Sequence, residues 1–181
     1  MKYLFASDLH GSAYYTKKLL EVFDASGAAK LILLGDLLYH GPRNDLPRDY
    51  DTKAVTKLLN EYKQYIYTVR GNCDSEVDQM VLEFPCLADY AVLELNGHRF
   101  FLSHGHHESP ENLPPLLPGE AFVFGHIHLP VAEKCGENYI LNPGSVSLPK
   151  DGNPNSYALL DGDTFTILDL EGHVLKEITL E

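Results

Sequence analysis

The chain has 181 residues, 44% of them apolar and 22% charged, and carries a net charge of −12 from 26 acidic and 14 basic side chains. That length suits a single domain, 1–181, with a sizeable core; no apolar run approaches the roughly 18 residues a membrane span needs, so no membrane partner is expected. The acidity sets an unfavourable field against extended DNA or RNA, which excludes polynucleotides as the expected substrate.

Tyr3 to Ala6 read as an opening strand, followed by Ser12 as N-cap of a helix to about Ser26, with Gly27 as its stop and Leu19, Leu20 and Phe23 on one face. Leu31 to Leu34 form a wholly apolar strand of the kind buried inside a parallel sheet, and Gly35-Asp36 opens a polar loop through Gly41-Pro42-Arg43-Asn44. A second helix is predicted over Asp51 to Lys63, a third strand over Tyr65 to Val69, and a capping box at Ser75-Glu76-Val77-Asp78 opens a short third helix. This β-α-β-α-β order favours a parallel sheet with right-handed crossovers. From residue 90 antiparallel pairing is expected, because Tyr90 to Leu95 and Arg99 to Leu102 flank the hairpin signal Asn96-Gly97. Ser109 to Gly119, with four prolines, reads as an irregular loop and a candidate lid. Ser156 to Asp161, Thr164 to Leu170 and Val174 to Leu180 read as a terminal meander.

Seven potential metal ligands fall in five segments, Asp8-Leu9-His10, Gly35-Asp36, Gly71-Asn72, His104 and Gly125-His126-Ile127-His128, nearly all directly after an apolar β-like run. Strand carboxyl ends are where ligands bind in open α/β sheets, so these side chains are expected to converge at one edge. Asp, His and Asn together make a mixed oxygen and nitrogen site suited to Mn, Fe or Zn, whereas an all-oxygen set favours Mg or Ca. Two ions roughly 3.5–4 Å apart serve phosphate-ester hydrolysis and need a bridging carboxylate. Asp36, after the most apolar strand, is the expected bridge, each of its oxygens facing a different ion. The cysteines Cys73, Cys86 and Cys135 form no CxxC pair, which argues against a disulfide framework. Cys86 and Cys135 read as structural thiols. With no secretory leader pattern at the amino terminus, a cytoplasmic location is expected.

In these blocks, DxH, GD, GN with a following acidic residue, an isolated His and GHxH, the chain resembles the calcineurin-like metallophosphoesterase superfamily, and its size resembles the small YfcE-type members. The resemblance implies an α/β four-layer metallophosphoesterase fold, a β-sandwich flanked by helices. It implies a phosphodiesterase acting on a small organic phosphodiester, with two divalent ions, manganese first and zinc, iron or another transition metal as alternatives, and a metal-bound hydroxide as nucleophile. Asp8, His10, Asp36 and His128 would hold one ion, and Asp36, Asn72, His104 and His126 the other. Asn72, Cys73 and Asp74 are marked as catalytic candidates.

Arg43 is a candidate phosphate clamp, against the alternative of a solvated loop cation. His106, with His40 and His107, is considered for the cleft, against surface placement; His98 and His173 read as structural. Asn142-Pro143-Gly144-Ser145 reads as a segment shaping the turn beside the metals, or as a plain turn. Alternative functions are a phosphomonoesterase, nucleotidase or pyrophosphatase on the same site, and a protein-interaction scaffold of the kind a retromer subunit makes of this fold. A small homo-oligomer is expected, which a monomeric mass in solution would overturn.

One position departs from the family pattern. Many members follow GN with a His that assists the leaving group, whereas this chain has Cys73, and a thiol with a reference pKa of about 8.5 is a poor analogue of imidazolium. The enzyme should therefore favour esters with good leaving groups. A Cys73→His variant is expected to flatten the dependence of rate on leaving-group pKa; an unchanged slope across a series of aryl esters would remove this role for the position.

Overall fold

The computed structural model describes residues 1–181. The chain opens with β1 (Lys2–Ala6), α1 (Ala13–Ser26), β2 (Lys30–Leu33), α2 (Thr52–Glu61), β3 (Ile66–Thr68) and α3 (Glu76–Val81). As the sequence predicts, β1 pairs β2 in parallel, with Phe5 beside Ile32, and β2 pairs β3 in parallel. Side chains alternate across this sheet. Leu4, Ala6, Leu31 and Leu33 pack with Leu19, Leu20 and Phe23 of α1 and Val55 and Leu59 of α2. Phe5 and Ile32 face the other way, into a second core. Burial on both faces is why these strands are continuously apolar.

The helix ends follow the expected chemistry. Ser12 caps α1, its hydroxyl accepting from the Tyr15 N–H, and Gly27 closes the helix at φ 70°. Asp51 caps α2 through the Ala54 N–H, and the Ser75–Asp78 capping box is present.

The second half corrects two expectations. β4 (Tyr90–Leu95) and β5 (His98–Ser103) form the predicted hairpin. The next strand, β6 (Ala121–Val123), instead pairs β5 in parallel. Two further strands, β7 (Pro130–Cys135) and β8 (Asn138–Pro143), were not expected from the sequence, and β8 also runs parallel to β6. The parallel arrangement has a physical reason: it brings the carboxyl ends of β5 and β6 to one edge, whereas an antiparallel return would send His104 and His126 to opposite edges. Asn142 and Pro143 accordingly end a strand, with the turn beginning only at Gly144. The meander is as expected, β9 (Ser156–Asp161), β10 (Thr164–Asp169) and β11 (Val174–Thr179), but β9 lies antiparallel against β1. Both sheets are thus mixed, ordered β11-β10-β9-β1-β2-β3 and β4-β5-β6-β8-β7.

The two sheets enclose one core, in which Phe5 packs on Phe100 and Phe165 with ring centroids 6.0 and 5.4 Å apart. Helices α1 and α2 cover the first sheet. On the far face of the second sheet, Phe122, Phe124 and Ile140 are covered by Leu116 from the proline-rich loop, so that loop is a packing layer as well as a surface segment. Cys86 is buried, as expected, whereas Cys135 is exposed at the end of an edge strand and packs no core.

Ser12 does two things at once, accepting from Tyr15 and donating to the Arg48 carbonyl at 2.6 Å. Ser12→Ala is expected to lower unfolding free energy by about 1–2 kcal/mol, from the lost cap and an unsatisfied carbonyl; a denaturant midpoint equal to wild type would contradict this.

Candidate metal centre

The parallel pairing of β1 and β2 continues past their ends and builds the site. Asp8 N–H donates to Gly35 O at 3.1 Å, His10 N–H to Asp36 O at 2.9 Å and Gly11 N–H to Leu37 O at 3.0 Å. The Asp8-Leu9-His10 and Gly35-Asp36 loops are thereby zipped together. From the other sheet, Gly125 N–H donates to His104 O, and His126 N–H reaches across to Asp8 Oδ2 at 3.0 Å. Asp74 ties in the third loop, accepting from the N–H groups of Asp36, Leu37 and Gly71 at 2.7–2.8 Å.

Loops this close leave no room for side chains at the contacts. A Cβ on Gly71 would strike the Asp36 carboxylate and backbone, one on Gly35 would strike Gly71, and one on Gly125 would strike Ser7 Oγ. The glycine before Asp36, Asn72 and His126 is therefore a spacing requirement. Backbone strain collects at the same place: Asp8, His10, Asp36, His126 and His128 all have φ between 47° and 65°. Left-handed conformations at non-glycine residues cost of order 1–3 kcal/mol each and cluster at functional sites.

Of the seven predicted ligands, Asp8, His10, Asp36, His104 and His128 are buried, His126 is half-buried and Asn72 is exposed. His10 Nε2 lies 3.5 Å from Asp8 Oδ1 and 3.6 Å from Asp36 Oδ2. His128 Nε2 lies 3.2 Å from Asp8 Oδ1, and His104 Nε2 3.4 Å from Asp36 Oδ2. Asn72 Oδ1 is 3.0 Å from His104 Nε2. The opposite ring nitrogens are anchored: Nδ1 of His10, His104 and His128 donates to the carbonyls of Tyr39, Leu34 and Leu148 at 2.8, 2.6 and 2.5 Å. A carbonyl can only accept, so Nδ1 carries a proton and Nε2 is aimed inward, the arrangement typical of metal-binding imidazoles. His126, the remaining imidazole, meets the His104 ring edge-on, with centroids 5.1 Å apart.

Two groupings, Asp8 with His10 and His128, and Asp8 with Asp36 and His104, each bring their ligand atoms within 4.8 Å of one another. Asp8 Oδ1 is fully buried and has no hydrogen bond of good geometry, despite three imidazoles nearby. An orphaned carboxylate oxygen among inward-facing nitrogens fits a divalent cation. The two oxygens of Asp36 differ in surroundings: Oδ1 accepts the Cys73 N–H at 2.8 Å, and Oδ2 faces both His10 and His104.

The electrostatics agree with a cation-seeking site. Burial pushes the Asp8 carboxyl up, but His10 and His128, with His104, outweigh it and hold it well below the usual range. Asp36 is lowered in the same way, against burial, chiefly by His104. Burial pulls His104 down, yet Asp36 and Asp8 raise it to about 9. His10 is likewise raised against burial, by Asp8 and Asp36. Burial and then His104 lower His126.

The other predicted residues divide. Arg43 lines a cleft of about 390 Å³ over the cluster, together with Asn72 and Cys73. Asp74 sits beneath the loops at 3% exposure with three backbone N–H groups on its carboxylate, so it braces the site and does not face the cleft. Burial, with Asp36 nearby, pushes Asp74 up to about 6 against those hydrogen bonds. Cys73 reaches the cleft edge; burial and the adjacent Asp36 push its thiol up to about 12. His106 stays outside the cleft lining, 5.5 Å from the His104 ring and tilted against His107 at 4.0 Å; burial and then His104 push it down to about 4. His40 is wedged between Tyr39 and Tyr50. His98 and His173 pair with Asp163 and Asp169, away from the site.

Sequence reasoning missed Lys150, which lines the cleft with Arg43. Its one signal was its position shortly after Asn142-Pro143-Gly144-Ser145. That segment proves to be a buttress: the hydroxyls of Ser145 and Ser147 both donate to the Asp8 carbonyl, at 3.0 and 2.8 Å, and Asn142 Nδ2 donates to Gly125 O.

Comparison with known proteins agrees with this geometry. Residues 1–164 match the family model of the calcineurin-like phosphoesterase superfamily domain. Phosphodiesterase YfcE of Escherichia coli strain K12 is 53% identical over 170 residues, which cover 94% of this chain and 92% of that protein. A solved structure of YfcE, described as a phosphoesterase from E. coli, matches with a TM-score of 0.98 at 49% identity over 100% of both chains. A single mutant of Vps29 from Entamoeba histolytica shares the fold, at a TM-score of 0.64 and 20% identity over 100% of both chains.

Gly71 has an ordinary φ, so only the space around it forbids a side chain. Gly71→Ala should displace Asp36 and lower the metal content of purified protein at least about tenfold while far-ultraviolet circular dichroism stays native. Wild-type metal content by elemental analysis would show that the close approach does not set the site.

Proposed function

The chain belongs to the calcineurin-like phosphoesterase superfamily, and on that basis we propose that it is a metal-dependent phosphodiesterase of the YfcE type, acting on a small organic phosphodiester by a two-metal mechanism. The observation that carries this reading is the pairing of opposites across one cleft. Its lining pairs Asp36 and the imidazoles of His10, His126 and His128 with Arg43 and Lys150, the last two engaged in no ion pair within the chain. The first half suits divalent cations and the second a phosphate anion. The diester preference follows the name of the E. coli relative.

Asp8, His10, Asp36 and His128 would hold one ion and Asp36, Asn72, His104 and His126 the other, manganese being the first choice. When bound, such ions supply Lewis acidity toward the phosphoryl oxygens and lower the pKa of water. The chain itself binds and orients. Arg43 donates its planar guanidinium to phosphoryl oxygens, and Lys150 adds a second positive charge on the facing loop. Their field draws in a monoanionic diester despite the net charge of −12. The Nδ1 anchors keep the His10, His104 and His128 imidazoles in one orientation, so most of the ligand set is preorganised before substrate arrives.

Metal-stripped protein is expected to hydrolyse a chromogenic phosphodiester only after Mn, Zn or another divalent ion is restored, with the matched monoester turned over more slowly. Asp36→Ala should reduce kcat/KM for the diester at least about 100-fold. Equal turnover by stripped and reloaded protein, or by Asp36→Ala, would overturn the proposal.

A further inference from the structure

We infer that the apolar groove adjoining the cleft seats one ester group of the substrate, and that this group is an aromatic or heteroaromatic ring; the inference rests on the phosphodiesterase reading above. The groove holds about 480 Å³ and runs between the loop after β2 and helices α2 and α3. Its apolar lining is the buried Leu38 with Tyr39, Tyr50 and, from α3, Val77 and Val81. It meets the polar cleft at Cys73, which lines both. A phosphate held over the cluster by Arg43 and Lys150 therefore has an apolar channel beginning at its border.

Three features make this a seat for a substrate group. First, α3 buries none of its residues, and Val77 and Val81 stay 67% and 47% exposed although they line a concave surface. Apolar side chains facing an open concavity gain by covering it, and a flat ring between tyrosines and valines would do so. Secondly, the walls are fixed to the metal-binding loops. Tyr50 lies against Gly11, where a Cβ would strike its ring, and the Tyr39 carbonyl accepts a hydrogen bond from Nδ1–H of His10. The His40 ring is held edge-on between Tyr39 and Tyr50, at 4.8 and 5.2 Å. Groove and ligand shell move as one body, so little ordering is needed on binding. Thirdly, the short Cys73 side chain is the one residue that lines both cavities, so they adjoin across a single small side chain.

The test uses the full chain loaded with Mn²⁺ and two non-hydrolysable monoanions shaped like diesters, methyl(phenyl)phosphinate and dimethylphosphinate, with affinities read by calorimetry. The phenyl compound should bind about tenfold more tightly, the effect of one well-placed apolar group. Val77→Glu and Val81→Glu, both surface changes the fold should tolerate, are expected to reduce that ratio to about twofold or less. Met80→Glu adds the same charge to α3 at an 83% exposed position outside the groove and should keep the wild-type ratio. Equal affinities in the wild type, a ratio retained in both groove variants, or equal loss in Met80→Glu would each overturn the inference. So would a fall in solution mass in Val77→Glu, which would show that a second copy occupies the groove. A protein that turns over no diester but shows the ratio, and its loss in the groove variants, would keep the ring-binding groove and remove only the phosphodiesterase reading.

Discussion

Asp8 and Asp36 face the same imidazoles with almost no access to water, and like charges so placed repel unless cations or donated hydrogen bonds hold them. The surrounding structure supplies what they need. One oxygen of each carboxylate accepts a backbone N–H, from His126 and Cys73 respectively. The other oxygen of each is left facing the ring nitrogens. Nothing in the two cores required this arrangement, which uses strained backbone at five positions and a set of glycines with no room for a methyl group. The stability that offsets it comes from the helix-facing core under the first sheet and the core between the sheets.

The sandwich explains how residues so far apart in sequence meet. β1 and β2 deliver two loops from one sheet, and β5 and β6 deliver two from the other, with parallel pairing in both cases. Cross-sheet bonds then fix their separation: His126 N–H to Asp8, and His104 Nδ1 to the Leu34 carbonyl at the end of β2. The packing of two sheets is thus converted directly into distances between ligand atoms.

Local signals were legible wherever short-range chemistry decides. The caps at Ser12, Asp51 and Ser75, the stop at Gly27 and the hairpin at Asn96-Gly97 all read correctly because each depends on a few adjacent residues. The ligand blocks were legible because Asp or His after an apolar run is unusual. The β7–β8 pair was not, since Glu133, Lys134 and Cys135 are exposed on an edge strand and give no alternating pattern. The parallel direction of β6 also escaped, because it depends on which strands lie next to β6 and not on the residues of β6. Asp74 and Lys150 show the same limit at the site. A carboxylate beside a motif looks catalytic until its three N–H donors are seen, and a lysine in a turn looks solvated until the cleft beneath it is known.

β1 lies between β2, its near neighbour in sequence, and β9, which follows it by about 150 residues. During synthesis, β1 therefore keeps one hydrogen-bonding edge open until the meander emerges, about 150 residues later. Ser145 and Ser147, which clasp the Asp8 carbonyl, emerge only shortly before β9. A truncated or stalled nascent chain thus carries the first ligand loop unclasped and a bare apolar strand edge beside it, which leaves this segment open to mispairing until residues 145–161 have emerged.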